Sequence, residues 1–220
     1  MRFLRSQLVT LILIVIAAGV LAFRIYHRVV GRGASSISDL SVTDPLNQPG
    51  ADPAPAEAYG VYSALYEKPE GEPLAFAGYT STDIPQVGGS CLSPSTPDEH
   101  EMADAFVAAN RKSHRWEQKF DIPQGYQLLS AVQTSQALAC LAAPHRDAGP
   151  CQPWQNLRHV RFLGNPGFDS THSHAVVSII RKCGRYCGAG GLFVVEKDGG
   201  TWRRSDPTPF VENCSWMFQR

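Results

Sequence analysis

The chain has 220 residues, enough for one domain or slightly more. Lys plus Arg and Asp plus Glu each number 20, so the net charge is zero, which excludes a strong field gathering nucleic acid or an anionic membrane surface. With 19 Gly, 16 Pro and 18% charged residues, the composition points to a turn-rich fold.

Arg2 and Arg5 precede an apolar run from Leu8 to Phe23, interrupted at Thr10 and Gly19. As a helix this run rises about 24 Å, short of the roughly 30 Å hydrocarbon core; Ile25 and Tyr26, with Arg24 snorkelling, extend it to a span. Residues 1–32 therefore read as a signal anchor or a signal peptide. A signal peptide would be cut near Val20-Leu21-Ala22. Arg24, His27, Arg28 and Arg32 follow at once and favour the uncleaved anchor, because basic residues just past a cleavage site hinder export. The membrane is thus an expected partner through this segment, and nucleic acid is not.

Residues 33–56 change character. Ser35, Ser36, Ser38, Pro45, Pro49, Gly50, Pro53 and Pro55 punctuate a stretch without apolar periodicity, which reads as a flexible tether. The folded unit is expected over 57–220, long enough to bury a core of its own.

Tyr59, Tyr62, Leu65 and Tyr66 fall at helical spacing and predict a helix over 56–67, broken by Pro69-Glu70-Gly71. Leu74 to Thr80 is a short strand, and 85–97 a loop carrying Cys91. A second helix is expected over 98–112, capped by Thr96 or Asp98, with Glu99 and Glu101 in the first turn complementing its dipole. Tyr126 to Gln133 reads as a strand by alternation. After a loop over 145–153 carrying Cys151, Leu157 to Leu163 alternates again.

The densest pattern comes last. His174 to Arg181 is rich in β-branched residues, and Leu192 to Glu196 is a second such run. Between them lies Cys183-Gly184-Arg185-Tyr186-Cys187-Gly188-Ala189-Gly190-Gly191, read as a glycine loop. Lys197-Asp198-Gly199-Gly200 then turns the chain into Thr201-Trp202-Arg203, completing a β-meander. The expected fold is α+β, with two helices packed on an antiparallel sheet. Val176, Val177, Ile179, Ile180, Phe193, Val194 and Val195 are expected to face largely inward.

The residues Gly167-Phe168, Ala175-Val176-Val177, Cys183-Gly184, Cys187-Gly188, Gly190, Glu196-Lys197, Gly199 or Gly200, and Trp202 resemble a family of uncharacterised exported bacterial proteins that share a C-terminal Cys-Gly hairpin. The resemblance implies export and fold; it implies no activity.

All six cysteines, Cys91, Cys140, Cys151, Cys183, Cys187 and Cys214, lie after the apolar segment. An even set in a chain that has crossed a membrane reads as disulfides, with 15 possible full pairings. Cys183 and Cys187 enclose three residues, so a local bridge closes most easily. Cys140 with Cys151 spans a Pro- and Gly-containing loop, and Cys91 is left for Cys214.

His172 and His174, with Asp169, are the remaining chemical candidates. Two His at i and i+2 of a strand share a face and, with Cys183 and Cys187, would make a four-ligand zinc set. Two polar residues at an exposed strand start explain the pair as well. The chain carries no G-x-S-x-G and no phosphate loop, so no catalytic residue is assigned, and no cofactor or metal is expected. The expected function is a membrane-tethered binding or accessory domain outside the cytoplasm, periplasmic or secreted if the segment is cleaved. The alternative is a hydrolase or zinc-binding domain with its site near His172 and His174.

Overall fold

A computed structural model describes residues 52–68, 71–82, 91–143, 149–184 and 187–218. The expected signal or anchor at 1–32, and the linker as far as residue 51, lie outside these residues. Among the described residues no helix is long and apolar enough to cross a membrane. The end of the stretch read as linker joins the fold. Ala54 N–H donates to Arg115 O (2.9 Å), Arg115 N–H to Asp52 O (2.9 Å), and Ala54 is buried.

The fold is mixed α+β. Helix α1 (Ala56–Leu65) leads to strand β1 (Ala75–Ala77). Helix α2 (Pro97–Ala109) follows, then β2 (Gln127–Leu129) and helix α3 (Ala131–Leu141). A 3₁₀ turn (Gly149–Trp154) precedes β3 (Val160–Leu163) and β4 (Gly167–Phe168). The long hairpin of β5 (His174–Lys182) and β6 (Gly188–Asp198) comes next, then β7 (Thr201–Arg204) and β8 (Ser215–Phe218).

The sheet runs β2-β1-β3-β5-β6-β7, with β4 added to β5 and β8 to β6. It is not purely antiparallel as expected: β1 lies parallel to both β2 and β3. A parallel neighbour needs a crossover, and the chain supplies one in each case: α2 between β1 and β2, then α3 on the way to β3.

Helix α3 corrects the expectation of a strand through Gln133. The strand ends at Leu129. Ser130 then caps a helix, its hydroxyl accepting from Gln133 N–H (3.3 Å) while the Gln133 side chain accepts from Ser130 N–H (2.9 Å). Thr96 and Glu99 cap α2 in the same reciprocal way.

Residues Gly188 to Gly191, expected in the loop, belong to β6. They pair in register with Ile179 to Lys182 of β5 on one side and Ser215 to Phe218 of β8 on the other. The hairpin loop is only the segment between Lys182 and Gly188.

Alternation divides the sheet into two faces. Ala175 and Val177 of β5, Val195 of β6 and Trp202 of β7 pack with Tyr59, Tyr62 and Trp116 beneath α1. Val176, Leu192 and Val194 face the other way, onto Met102 and Phe106 of α2 and onto Phe210. Ile180, Val160 and Phe162 meet Ala137 and Leu141 of α3 on that same second face. Ile179 and Phe193, expected inward, are half-buried at the rim of the first face.

Two buried polar pieces knit the layers. Arg161, fully buried on β3, reaches Glu72 at 2.6 Å. Asn110, at the end of α2, accepts from Asn165 N–H (2.7 Å) and donates to Asn165 O (2.8 Å). Gly167 lets α2 approach β4: a Cβ there would overlap Phe106 N and lie 2.5 Å from Met102 O.

Candidate functional site

The cysteines converge as three bonded pairs, Cys91–Cys214, Cys140–Cys151 and Cys183–Cys187, with Cα separations of 4.9, 5.3 and 5.1 Å. These are the pairs favoured from spacing. Cys140–Cys151 ties α3 to the 3₁₀ turn. Cys91–Cys214 ties the segment before α2 to the start of β8.

The histidine pair is not brought together. Gly167 pairs with Val176 and Phe168 with Ala175, and Asp169 N–H then donates to His174 O (3.1 Å). The β4–β5 hairpin thus closes on Asp169 and His174, with His172 in its loop. His172 has φ +54°, a left-handed conformation common where such loops rejoin the strand. It stands outside the strand, so the i, i+2 rule does not reach it. Its ring stacks on Phe168 (4.9 Å, 4°), and its Nδ1 lies 2.7 Å from Glu57 of α1. His174 shares the parity of Val176 and turns to the α2 side, with Nδ1 3.1 Å from Asp169. The rings therefore leave opposite faces of one hairpin. Cys183 stands just past the far end of β5, about 30 Å from His174 at about 3.3 Å per residue, and is bonded to Cys187. The four-ligand zinc set does not assemble. Among the described residues no group of three or more His, Cys, Asp or Glu is arranged to hold a metal ion.

Ser173, His174 and Asp169 do meet, but not as a catalytic relay. Ser173 Oγ lies 3.0 Å and Asp169 Oδ2 3.1 Å from the same His174 Nδ1. A relay needs the nucleophile on one ring nitrogen and the carboxylate on the other. What the cluster does is shape the loop. Asp169 accepts from Ser173 N–H (2.8 Å), Ser173 Oγ–H (2.9 Å) and Thr171 Oγ–H (3.0 Å). Burial works to raise the Asp169 carboxyl, but the hydrogen bonds from His174 and Ser173 outweigh it and hold it at about 2. Glu57 likewise sits below its ordinary value. Burial opposes the shift, while contacts from His172 and Lys197 (3.0 Å) outweigh it.

A concave feature lies on the first sheet face, past the end of α1. There Ile179, Gly191, Ala189, Ser215 and Met217 share one face by register, and Phe193 borders them. Helix α1 ends at Leu65, so this half of the face has no helix over it. Strands β7 and β8 lie in line along the same edge of β6. The chain leaves at Ser205, whose N–H still donates to Val194 O (3.1 Å). It returns at Cys214, whose O accepts from Leu192 N–H (2.9 Å). The strap between them forms the outer lip, plugged into the opposite side by buried Phe210 and Val211. The result is a trough of about 680 Å³ with an apolar floor and Arg181, Arg204, Asp206 and Glu212 on its rim.

No local sequence pattern announces this trough. Ala189 and Gly191, the small residues of its floor, read as part of a loop, and β8 gives no alternation long enough to register. The usable signal is small residues at 188–191 directly before a β-rich run, which places a side-chain-free strip inside a strand. No known protein family, curated protein or solved structure matches the chain.

Proposed function

We propose that the chain is a membrane-tethered binding domain held outside the cytoplasm, and that it receives its ligand in the trough over β6. The carrying observation is the trough itself: a concave, largely apolar strip of about 680 Å³ on a sheet face that α1 covers only in part. Sites of roughly 300–1,000 Å³ with an apolar lining and a few placed polar groups are the usual form of a small-molecule site. Support for the location comes from the apolar run Leu8–Phe23, from three disulfides of a kind found mainly in oxidising compartments, and from the resemblance of the Cys-Gly hairpin to exported proteins.

Two experiments test the reading. A reporter active only outside the cytosol, fused after Arg220, works if the domain is exported; activity from a cytosol-only reporter instead sinks the location. For binding, a thermal-shift screen of small molecules on the full chain should find compounds that raise the midpoint, since a ligand that binds only the folded state stabilises it. Met217, 75% exposed, lines the trough, and Met217→Glu should abolish those shifts without lowering the unliganded midpoint. Hits indifferent to Met217→Glu would place binding elsewhere.

A further inference from the structure

The rim charges bear on what the trough takes. Register sets Arg204 beside Val195 and Arg181 beside Ala189, so both side chains rise on the trough face, from strands on either side of β6. Neither has an ion pair among the described residues, although Asp206 and Glu212 stand on the strap at the same opening. Neighbouring arginines differ. Arg203 faces the other way and is paired with Glu196 (2.9 Å) and Asp198 (3.0 Å). Arg161, directly opposite Arg181 in register, is held by Glu72 (2.6 Å). Arg203 and Arg161 are thus neutralised, while Arg181 and Arg204 on the rim have no ion pair among the described residues.

Arg204 is also held in place. Its guanidinium lies 4.4 Å over the Phe193 ring. A guanidinium shelved on an aromatic face has already lost part of its side-chain freedom, and its planar N–H edge remains open to a carboxylate. Next to that shelf the floor is flat. Gly191 carries no side chain and Ala189 only a methyl, while Ile179, Phe193 and Met217 stand around them. Met217 is a flexible thioether that adapts to apolar shapes.

We propose, resting on the binding role above, that the trough takes a small carboxylic acid with an apolar body. The carboxylate docks on Arg204, and the body lies over Ala189 and Gly191 against Phe193, Ile179 and Met217. Asp206 and Glu212, on the strap, repel the head group from that lip and so orient it toward Arg204.

The test uses the full chain in phospholipid nanodiscs, titrated calorimetrically with 2-naphthoate and with 2-naphthylmethylammonium, empty nanodiscs serving as the blank. Naphthoate should bind at least about tenfold more tightly than the ammonium, the scale of one charge-assisted hydrogen-bonded pair. Arg204→Gln should weaken naphthoate about tenfold and erase the preference. Arg203→Gln makes the same charge change on the opposite face and should leave both affinities within about twofold. Equal affinity for the two probes overturns the proposal, as does an equal loss from Arg203→Gln and Arg204→Gln. No binding of naphthoate overturns it too. If both probes bind, weaken with Met217→Glu and ignore Arg204→Gln, the carboxylate reading fails and the trough remains a binding site.

Discussion

Gly190 of β6 and Trp216 of β8 sit directly opposite one another, and the indole lies where a side chain at 190 would be. A Cβ on Gly190 would stand 2.6 Å from Trp216 Cε2. The ring covers the glycine on the face that carries α2 and α3, while the adjacent Gly191 faces the trough without a side chain. A large aromatic over a bare strand position restores the contact that the glycine lacks.

That relationship predicts a coupled pair. Gly190→Ala should cost about 1–3 kcal/mol by forcing the indole out of place. In a Trp216→Ala background the same change should cost little, because nothing is left to clash. Denaturant titrations of the two single variants and the double variant measure the coupling. Strict additivity would show that the ring does not rest on Gly190.

Gly167 should be less forgiving. Its absent Cβ would meet backbone atoms of α2 at Met102 and Phe106, which cannot swing aside as a side chain can. Gly167→Ala is expected to cost about 3 kcal/mol or more, at the upper end of overpacking. It should also quicken amide exchange along α2 in preference to α3. Uniform exchange changes across both helices would contradict the contact.

Asp169 gives the domain an acid limit. Its folded value of about 2 lies below the ordinary 3.8, so the stability it contributes is fully present above about pH 4 and is lost as the pH falls toward 2. A shift of this size corresponds to at most about 2 kcal/mol, because the His174 partner is 43% exposed and solvent screens its share of the interaction. Asp169→Asn should therefore be destabilised at pH 6, with the gap to the native chain closing between about pH 4 and 2. Chemical denaturation at a series of pH values measures that gap. A gap independent of pH would assign the loop's stability to something other than the carboxylate.

The three disulfides should rank by the loops they close. Separations of 123, 11 and 4 residues correspond to about 5, 3 and 2 kcal/mol of unfolded-state entropy. Replacing Cys91 and Cys214 together by Ala should thus cost most, and Cys183 with Cys187 least. Alkylation before reduction should label none of the six thiols. Labelling of Cys91 and Cys214 alone would remove the bond that fixes the strap.

Much of the fold is legible where local chemistry decides it. The capping chemistry of Thr96 and Glu99, the β-branched run of β5 and the tight turn before Thr201 each specify their element within a few residues. The reading fails where a distant partner decides. Arg161 looks like the solvent side of an alternating strand, yet it is buried because Glu72, 89 residues away, meets its charge. Gly188 to Gly191 look like a loop because the residues that make them a strand, β5 and β8, flank them in space. His172 and His174 look like a pair on one face, but a single left-handed residue in the hairpin turns them apart. Ser130 and Gln133 are the exception, since their capping box was there to be read beneath a competing alternation. The trough is legible only once β7 and β8 are known to share one edge of β6.

The bond between Cys91 and Cys214 also sets an order of events. If the chain crosses a membrane as proposed, Cys91 is the first of the six thiols to appear and Cys140 the second. Pairing by order of emergence would join those two, leaving Cys151 without its neighbour on the 3₁₀ turn. The native partner of Cys91, Cys214, is the last of the six to arrive. Cys140–Cys151 and Cys183–Cys187 can close locally while Cys91 waits, or Cys91 must be released from a wrong partner by thiol exchange, which is slow without a catalyst. Maturation of this protein should therefore depend on an isomerase more than on an oxidant, and the strap, the trough and β8 should be the last parts of the molecule to become native.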